Sequence, residues 1–201
     1  LLNGPPRSSK YTVAEFITLM VGNSKVHHMK MSRPMKSGIR EIFGFTATET
    51  KALESYKDQS NGPEFGDLTY REMQIKLFEH LKETYGPEVL GRIFLRYNRQ
   101  TMKEHTVVSD AGRNEEVLPI IESCPYGQVG IIQLSRPGCN YDNDCREDLD
   151  STGIKHFEVV GNKYDLELFK AQIKRVLVKW ELLDDEEDNW RLLDAGVHRK
   201  S

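Results

Sequence analysis

Gly4, Lys10 and Thr12 stand at spacings that suit phosphate binding. In the loop G-x-x-x-x-G-K-[ST], consecutive backbone N–H groups wrap the phosphates, a lysine reaches the outer ones, and a hydroxyl serves Mg²⁺. The segment Asn3-Gly-Pro-Pro-Arg-Ser-Ser-Lys-Tyr-Thr12 keeps Gly4 and Lys10 in register. Ser9 occupies the second glycine position and Tyr11 the hydroxyl position, with Thr12 one residue further on; Arg7 and Ser8 complete the loop. Val13, Phe16, Ile17 and Met20 then return at helical spacing. That places the loop at a helix N-terminus, where free N–H groups and the macrodipole favour an anion.

Phosphoryl transfer further asks for charge around the transferring group and exclusion of water. Asp110 closes the β-branched run Thr106-Val-Val-Ser, and ligands of open parallel sheets bind beyond strand C-terminal ends. It is a candidate beside Mg²⁺ or the acceptor. Arg113 follows on the same edge with Asn114 and Glu115; these three could instead begin a solvent-facing helix. Arg136 and Arg146 lie in an irregular run, and guanidinium forks suit phosphate oxygens. For Arg146 a plain solvated loop arginine is the simpler reading. Arg33 and Lys36 flank Pro34 at a helix start and could meet a phosphate. Arg71, near a helix start with Gln74 nearly one turn on, could pair with a neighbouring glutamate.

The elements that must position these residues alternate between strands and helices. Short apolar runs are expected as strands at 25–31, 105–110, 127–134 and 157–161. Pro34 starts a helix whose stripe is Met35, Ile39, Ile42 and Phe43, ending near Gly44. Thr46-Ala-Thr-Glu49 and Thr69-Tyr-Arg-Glu72 cap two more helices, and 60–66 reads as loop. Further helices are expected from Pro87, with Val89, Leu90, Ile93, Phe94 and Tyr97 as a buried face, from Glu115 to Glu122, and from Asp165 to Trp180. The last carries Leu166, Phe169, Ile173, Val176, Leu177 and Trp180 on one side. Such alternation predicts an α/β fold with a mostly parallel sheet covered on both faces.

With 201 residues the chain fits one domain with a substantial core. A net charge of −3 demands neither nucleic acid nor membrane, and an acidic block at Asp184-Asp-Glu-Glu-Asp argues against a duplex substrate, which normally needs a basic stripe. No apolar run suits a bilayer span and no signal-peptide pattern opens the chain, so a cytoplasmic protein is expected. Cys124, Cys139 and Cys145 form no CxxC pair and suit a reducing compartment; Cys139, Cys145 and His156 match no common zinc site. The oligomeric state, a homodimer included, stays open.

Gly4-Pro-Pro-Arg-Ser-Ser-Lys-Tyr-Thr-Val-Ala resembles the G-x-x-R-S-G-K-D-T-x-A opening of bacteriophage deoxynucleoside monophosphate kinases. Ser32-Arg-Pro-Met-Lys36, Arg71-Glu-Met-Gln74, Val107-Val-Ser-Asp110 and Leu134-Ser-Arg-Pro-Gly138 agree with that family in order, over about residues 1–180. The resemblance implies a three-layer α/β/α P-loop NTPase fold of the nucleoside monophosphate kinase type over 1–183. In it, 32–104 would form a helical acceptor-binding part and 135–153 a lid-like segment, with 184–201 an acidic tail.

The resemblance also implies ATP with Mg²⁺ as donor and a small deoxynucleotide as acceptor, in a host cytoplasm. Lys10, Asp110 and Arg136 would be catalytic; Gly4, Arg7, Ser8, Ser9, Lys10, Tyr11 and Thr12 would hold the cofactor. Asp110 and Thr12 would serve the metal, and Arg33, Lys36, Arg71, Gln74, Arg113 and Arg146 the substrate. Ser9 and Tyr11 depart from the family pattern. A Cβ strains a loop built for glycine, and a phenol is a poor replacement for a compact oxygen ligand. Two alternatives therefore stand beside the active kinase: a silent relative that keeps the cleft for binding or regulation, and a kinase acting on a modified base in DNA.

Overall fold

Among the described residues, strands and helices are interspersed along the chain, with four α-helices between the second and third strands and none between the fourth and fifth. The computed structural model describes residues 1–142, 144 and 146–184. Cys145 and every residue of the acidic tail after Asp184 lie outside the described residues, and with them the expectations placed there.

The elements run β1 (Leu2–Asn3), α1 (Lys10–Val21), β2 (Val26–Met29), α2 (Arg33–Phe43), α3 (Ala47–Ser55), α4 (Tyr70–Tyr85) and α5 (Val89–Asn98). There follow β3 (His105–Val108), α6 (Asn114–Ser123), β4 (Gly130–Ser135), β5 (His156–Gly161) and α7 (Leu166–Lys179). The three pairs of these strands are all parallel, in a three-stranded group ordered β1-β4-β5 and a two-stranded group β2-β3. Strand alternation sends neighbouring residues to opposite sides. Leu2, Val26, Val107, Ile132 and Val160 pack with Val13, Ile17, Phe169 and Ile173 of α1 and α7. Met29, Val108 and Ile131 pack with Phe78, Leu90, Phe94, Val117 and Ile120 of α4, α5 and α6. The architecture is α/β, with helices on both sides of a small parallel sheet, and is compatible with three layers.

Local chemistry fixes the helix ends. Thr46 and Thr69 each accept from the backbone N–H three residues on, and Glu49 and Glu72 reach back to the cap N–H, so both capping boxes close. Each cap contributes about 1 kcal/mol. Pro34 stands in the first turn of α2, and Gly44 ends that helix at φ 68, a conformation natural to glycine.

Three apolar stripes are thinner than expected. In α2 only Ile39 is buried, while Ile42 and Phe43 face outward. Tyr97 of α5 and Leu166 of α7 are also exposed. The reason is shared: each residue lies near a helix end, beyond the neighbouring element that covers the middle turns.

Candidate functional site

The loop between β1 and α1 is curled. Ser8 N–H donates to the Pro5 carbonyl at 3.3 Å, and Gly4, Arg7 and Ser9 all have positive φ, at 142°, 65° and 74°. Gly4 has no room for a side chain, since a Cβ there would stand 2.5 Å from the Leu134 carbonyl oxygen. Arg7 and Ser9 accept left-handed backbone at about 1 kcal/mol each. Successive N–H groups in such turns form a concave donor surface for anions. Ser9 is the residue before α1, and its hydroxyl accepts from the Asn162 amide at 3.0 Å, which gives the serine a local role in a glycine position.

Lys10 folds back over this loop. Its Nζ donates to the carbonyls of Gly4 and of Pro5, the latter at 2.7 Å, and reaches Ser8 Oγ at 3.4 Å. Burial lowers the Lys10 pKa to about 8; Arg146 lowers it further, and Asp144, Asp110 and Cys139 oppose the shift. These five side chains therefore share one electrostatic neighbourhood. Arg146 is held in a fork by Asp144, Nε on Oδ1 at 2.8 Å and Nη2 on Oδ2 at 2.5 Å. The plain solvated reading of Arg146 misses this placement beside the loop lysine.

Arg136 donates from Nη1 to the Arg7 carbonyl at 3.0 Å and lies 4.9 Å above the exposed Tyr164 ring. Asp110 accepts from Met31 N–H at 2.6 Å, Ser32 N–H at 3.2 Å and Ser32 Oγ at 2.7 Å. Its carboxylate ties the end of β3 to the start of α2. Thr12 lies in the first turn of α1.

Tyr11 points away from the loop's interior. Its ring is 53% exposed, packs 5.2 Å from the His28 ring and lies 5.4 Å from Lys30 Nζ. His28 is pinned in turn by Ser109 Oγ at 2.8 Å. The phenol thus walls a cleft of about 510 Å³ that also holds Lys30, Arg33, Lys36, Arg40, Thr50 and Glu54. Four cations line one cavity, a strong draw for an anionic ligand.

The cleft gathers Arg33 and Lys36 of the expected substrate set. It does not include Arg71 or Gln74 among its lining residues. Arg71 pairs with Asp58 at 2.5 Å on an exposed surface, and Gln74 bonds the Tyr70 carbonyl of its own helix at 3.2 Å. Arg113 stacks 4.2 Å over the Phe78 ring and pairs with Glu116 at 3.5 Å.

The lid-like segment is partly tied down. Buried Asn3 donates to the carbonyls of Ala111 and Glu147 and accepts from Leu149 N–H, and Leu149 is buried in the core. Tyr141 Oη lies 3.4 Å from the same Asn3 oxygen.

Sequence reasoning passed over Lys30, Arg40, Glu54, Asn162 and Tyr164. A signal existed for one of them: Arg33, Lys36 and Arg40 recur at steps of three and four, one face of a helix. Asn162 and Tyr164 carry no such signal, because only the pairing of β4 with β5 brings them to the loop.

Where three protein ligands would be needed for a metal, the described residues offer no such cluster of His, Cys, Asp or Glu. The curled loop and Lys10 fit a chain of phosphates. The residues assigned to Mg²⁺ fit less well, since both Asp110 oxygens are engaged and Tyr11 faces the cleft. Compared with protein-family models the chain matches none, and no curated protein matches it.

Proposed function

We propose that this chain is a nucleotide kinase of the P-loop nucleoside monophosphate kinase type, transferring a phosphoryl group from ATP to a deoxynucleoside monophosphate. One observation carries the reading: a curled loop with Lys10 at a helix start opens beside a cleft lined by Lys30, Arg33, Lys36 and Arg40. An anionic donor and an anionic acceptor can thereby meet across Tyr11.

In this reading the loop N–H groups hold the donor phosphates, and Lys10 exchanges the Gly4 and Pro5 carbonyls for phosphate oxygens. Arg136 and Tyr164 present flat faces beside the loop, suited to a purine. Arg146 stands near the transferring group and offsets developing charge. An acceptor phosphate oxygen forms the new bond to the terminal phosphorus of the donor as the bond to ADP breaks. Mg²⁺, when bound, would neutralise phosphate charge with mostly phosphate and water ligands. Thr12 and Asp110 are the residues assigned to it, and no step here depends on their holding it.

The test is ADP release from ATP on adding a mixture of deoxynucleoside monophosphates. Release that depends on the acceptor and vanishes in Lys10→Ala supports the kinase. A second reading, a silent relative that binds nucleotide without turnover, is favoured by Tyr11, which leaves the loop without its compact metal-binding hydroxyl. Calorimetric binding of ATP that is indifferent to Mg²⁺, with no product after long incubation, would select it.

A further inference from the structure

We propose that the outer face of α2 is a track for single-stranded nucleic acid, which starts in the cleft beside the loop and ends on the rings of Phe43, Phe45 and Phe65. The inference goes beyond the kinase reading. It stands on the cleft and the rings, whether or not the loop transfers a phosphoryl group.

Arg33, Lys36, Arg40 and Phe43 follow one another in α2 at steps of three, four and three residues, so they share one face of the helix. The first three line the cleft together with Lys30, which follows β2. Lys36 is paired with Glu54 and Arg40 with Glu41, and all four of these side chains are at least 24% exposed. Pairs so open to water hold weakly, and a phosphate oxygen takes the place of a carboxylate at little cost. Lys30, Arg33, Lys36 and Arg40 thus form a row of cations, complementary in charge to a row of phosphates.

Aromatic rings stand at both ends of that row. Beside the loop, the half-exposed Tyr11 packs against His28. At the far end Phe43 is 42% exposed, lies 5.9 Å from Phe45 in a near-parallel stack and 5.6 Å from Phe65 edge to face. Ile42, next to Phe43, is exposed as well. Contiguous apolar groups left in water mark a contact surface. An acidic peptide would satisfy the cations and leave the rings in water. Unpaired nucleotides satisfy both, because each brings a phosphate and a flat base that stacks on an aromatic side chain. A duplex keeps its base faces stacked inside, and a chain of net charge −3 lacks the broad basic surface a duplex wants.

The dimensions agree with a strand and exceed a mononucleotide. From Arg33 to Phe43 the helix rises about 15 Å. A stacked strand advances about 3.4 Å per phosphate, so roughly four nucleotides bridge the two ring groups. Their phosphates would run along the cations between.

The experiment is fluorescence anisotropy of the whole chain with a labelled oligothymidylate of about twelve nucleotides, long enough to overfill the track. Unlabelled oligothymidylate, dTMP, a blunt duplex and an oligoglutamate peptide serve as competitors. The expected result is displacement by the unlabelled strand at concentrations at least about tenfold lower than by any of the other three. Affinity should weaken roughly 7- to 50-fold between 50 and 200 mM salt, the loss for two to four neutralised phosphates of a single strand. Phe43→Ala should weaken binding by roughly fivefold or more with the salt slope unchanged, and Arg40→Gln should lower the slope by about 0.7. An oligouridylate run in parallel separates RNA from DNA, and either strand that meets these marks supports the track. The competitor series needs no variant, so it decides the matter even if Phe43→Ala folds poorly. Equal displacement by dTMP overturns the track and leaves the acceptor cleft intact. Equal displacement by oligoglutamate or by duplex, or no binding of the strand, overturns it too.

Discussion

The Asn162 side-chain amide donates to Ser9 Oγ across 3.0 Å, joining the residue after β5 to the one that closes the β1–α1 loop. Ser9 pays a left-handed φ of 74° for a position that suits glycine. Removing the side chain relieves about 1 kcal/mol of strain and forfeits a hydrogen bond of about 1 kcal/mol. Ser9→Gly should therefore unfold in urea within about 0.5 kcal/mol of the native chain, the two effects cancelling. Its affinity for ATP should rise, because a glycine lets a phosphate approach the backbone. Weaker ATP binding in Ser9→Gly would mean that the hydroxyl itself contacts the donor.

Lys10 gives a pH signature. Its folded pKa of about 8 lies below the ordinary lysine value of 10.5, so the native state loses this proton before the unfolded state does. Sign follows from proton counting: between about pH 8 and 10.5 the unfolded chain binds more protons, and stability rises with pH. A stability profile compared with Lys10→Met should show that rise in the native chain alone. Anion affinity should move the other way, weakening as pH increases through about 8, by at most about tenfold per unit. Titration with inorganic triphosphate at pH 7 and 9 checks this, and an equal loss in Lys10→Met would remove Lys10 from the phosphate contact.

Much of the architecture was legible in the sequence. The two capping boxes at Thr46 and Thr69, the stop at Gly44 and the β-branched runs at 105–108 and 130–135 each use local chemistry, and local chemistry is what a sequence displays. The site was legible only where it is also local, along Gly4 to Lys10 and along Arg33 to Lys36. Glu54 was illegible for the opposite reason: its partner Lys36 stands on another helix, and only packing brings the two together. Arg146 is a candidate in the sequence, but its fork with Asp144 and its influence on the Lys10 charge come only with the fold. Arg71 pairs with Asp58 at the surface, so an acidic partner of the kind the sequence allowed is present, an aspartate where a glutamate was expected.

Asp110 should behave as a structural residue as well as a candidate for chemistry. Asp110→Ala would strand the Met31 and Ser32 N–H groups and the Ser32 hydroxyl. Unpaired groups of this kind cost about 1–3 kcal/mol each when buried, less when water can reach them. A loss on the order of 3 kcal/mol is expected, lowering Tm by roughly 6–12 °C in a chain of this size. Calorimetry settles the role: an unchanged Tm together with lost turnover would assign the carboxylate to the ligand and not to the β3–α2 junction.

Glu116 supplies the last prediction. It is 7% exposed, stacked in the α5–α6 contact and 3.5 Å from Arg113. Burial raises its pKa to about 7 from 4.5, Arg113 opposes this, and Asp110 and Glu115 add to it. The folded state therefore keeps a proton that the unfolded state has released between about pH 4.5 and 7, so stability falls as pH rises across that window and then levels off. The full penalty is on the order of 3 kcal/mol. Glu116→Gln keeps the shape and removes the charge. Urea unfolding should find the variant close to the native chain at pH 4.5 and more stable by about that amount at pH 8. Because Arg113 also loses its counter-charge in the variant, equal stabilities at both pH values would show that the Arg113 attraction outweighs burial of the carboxylate.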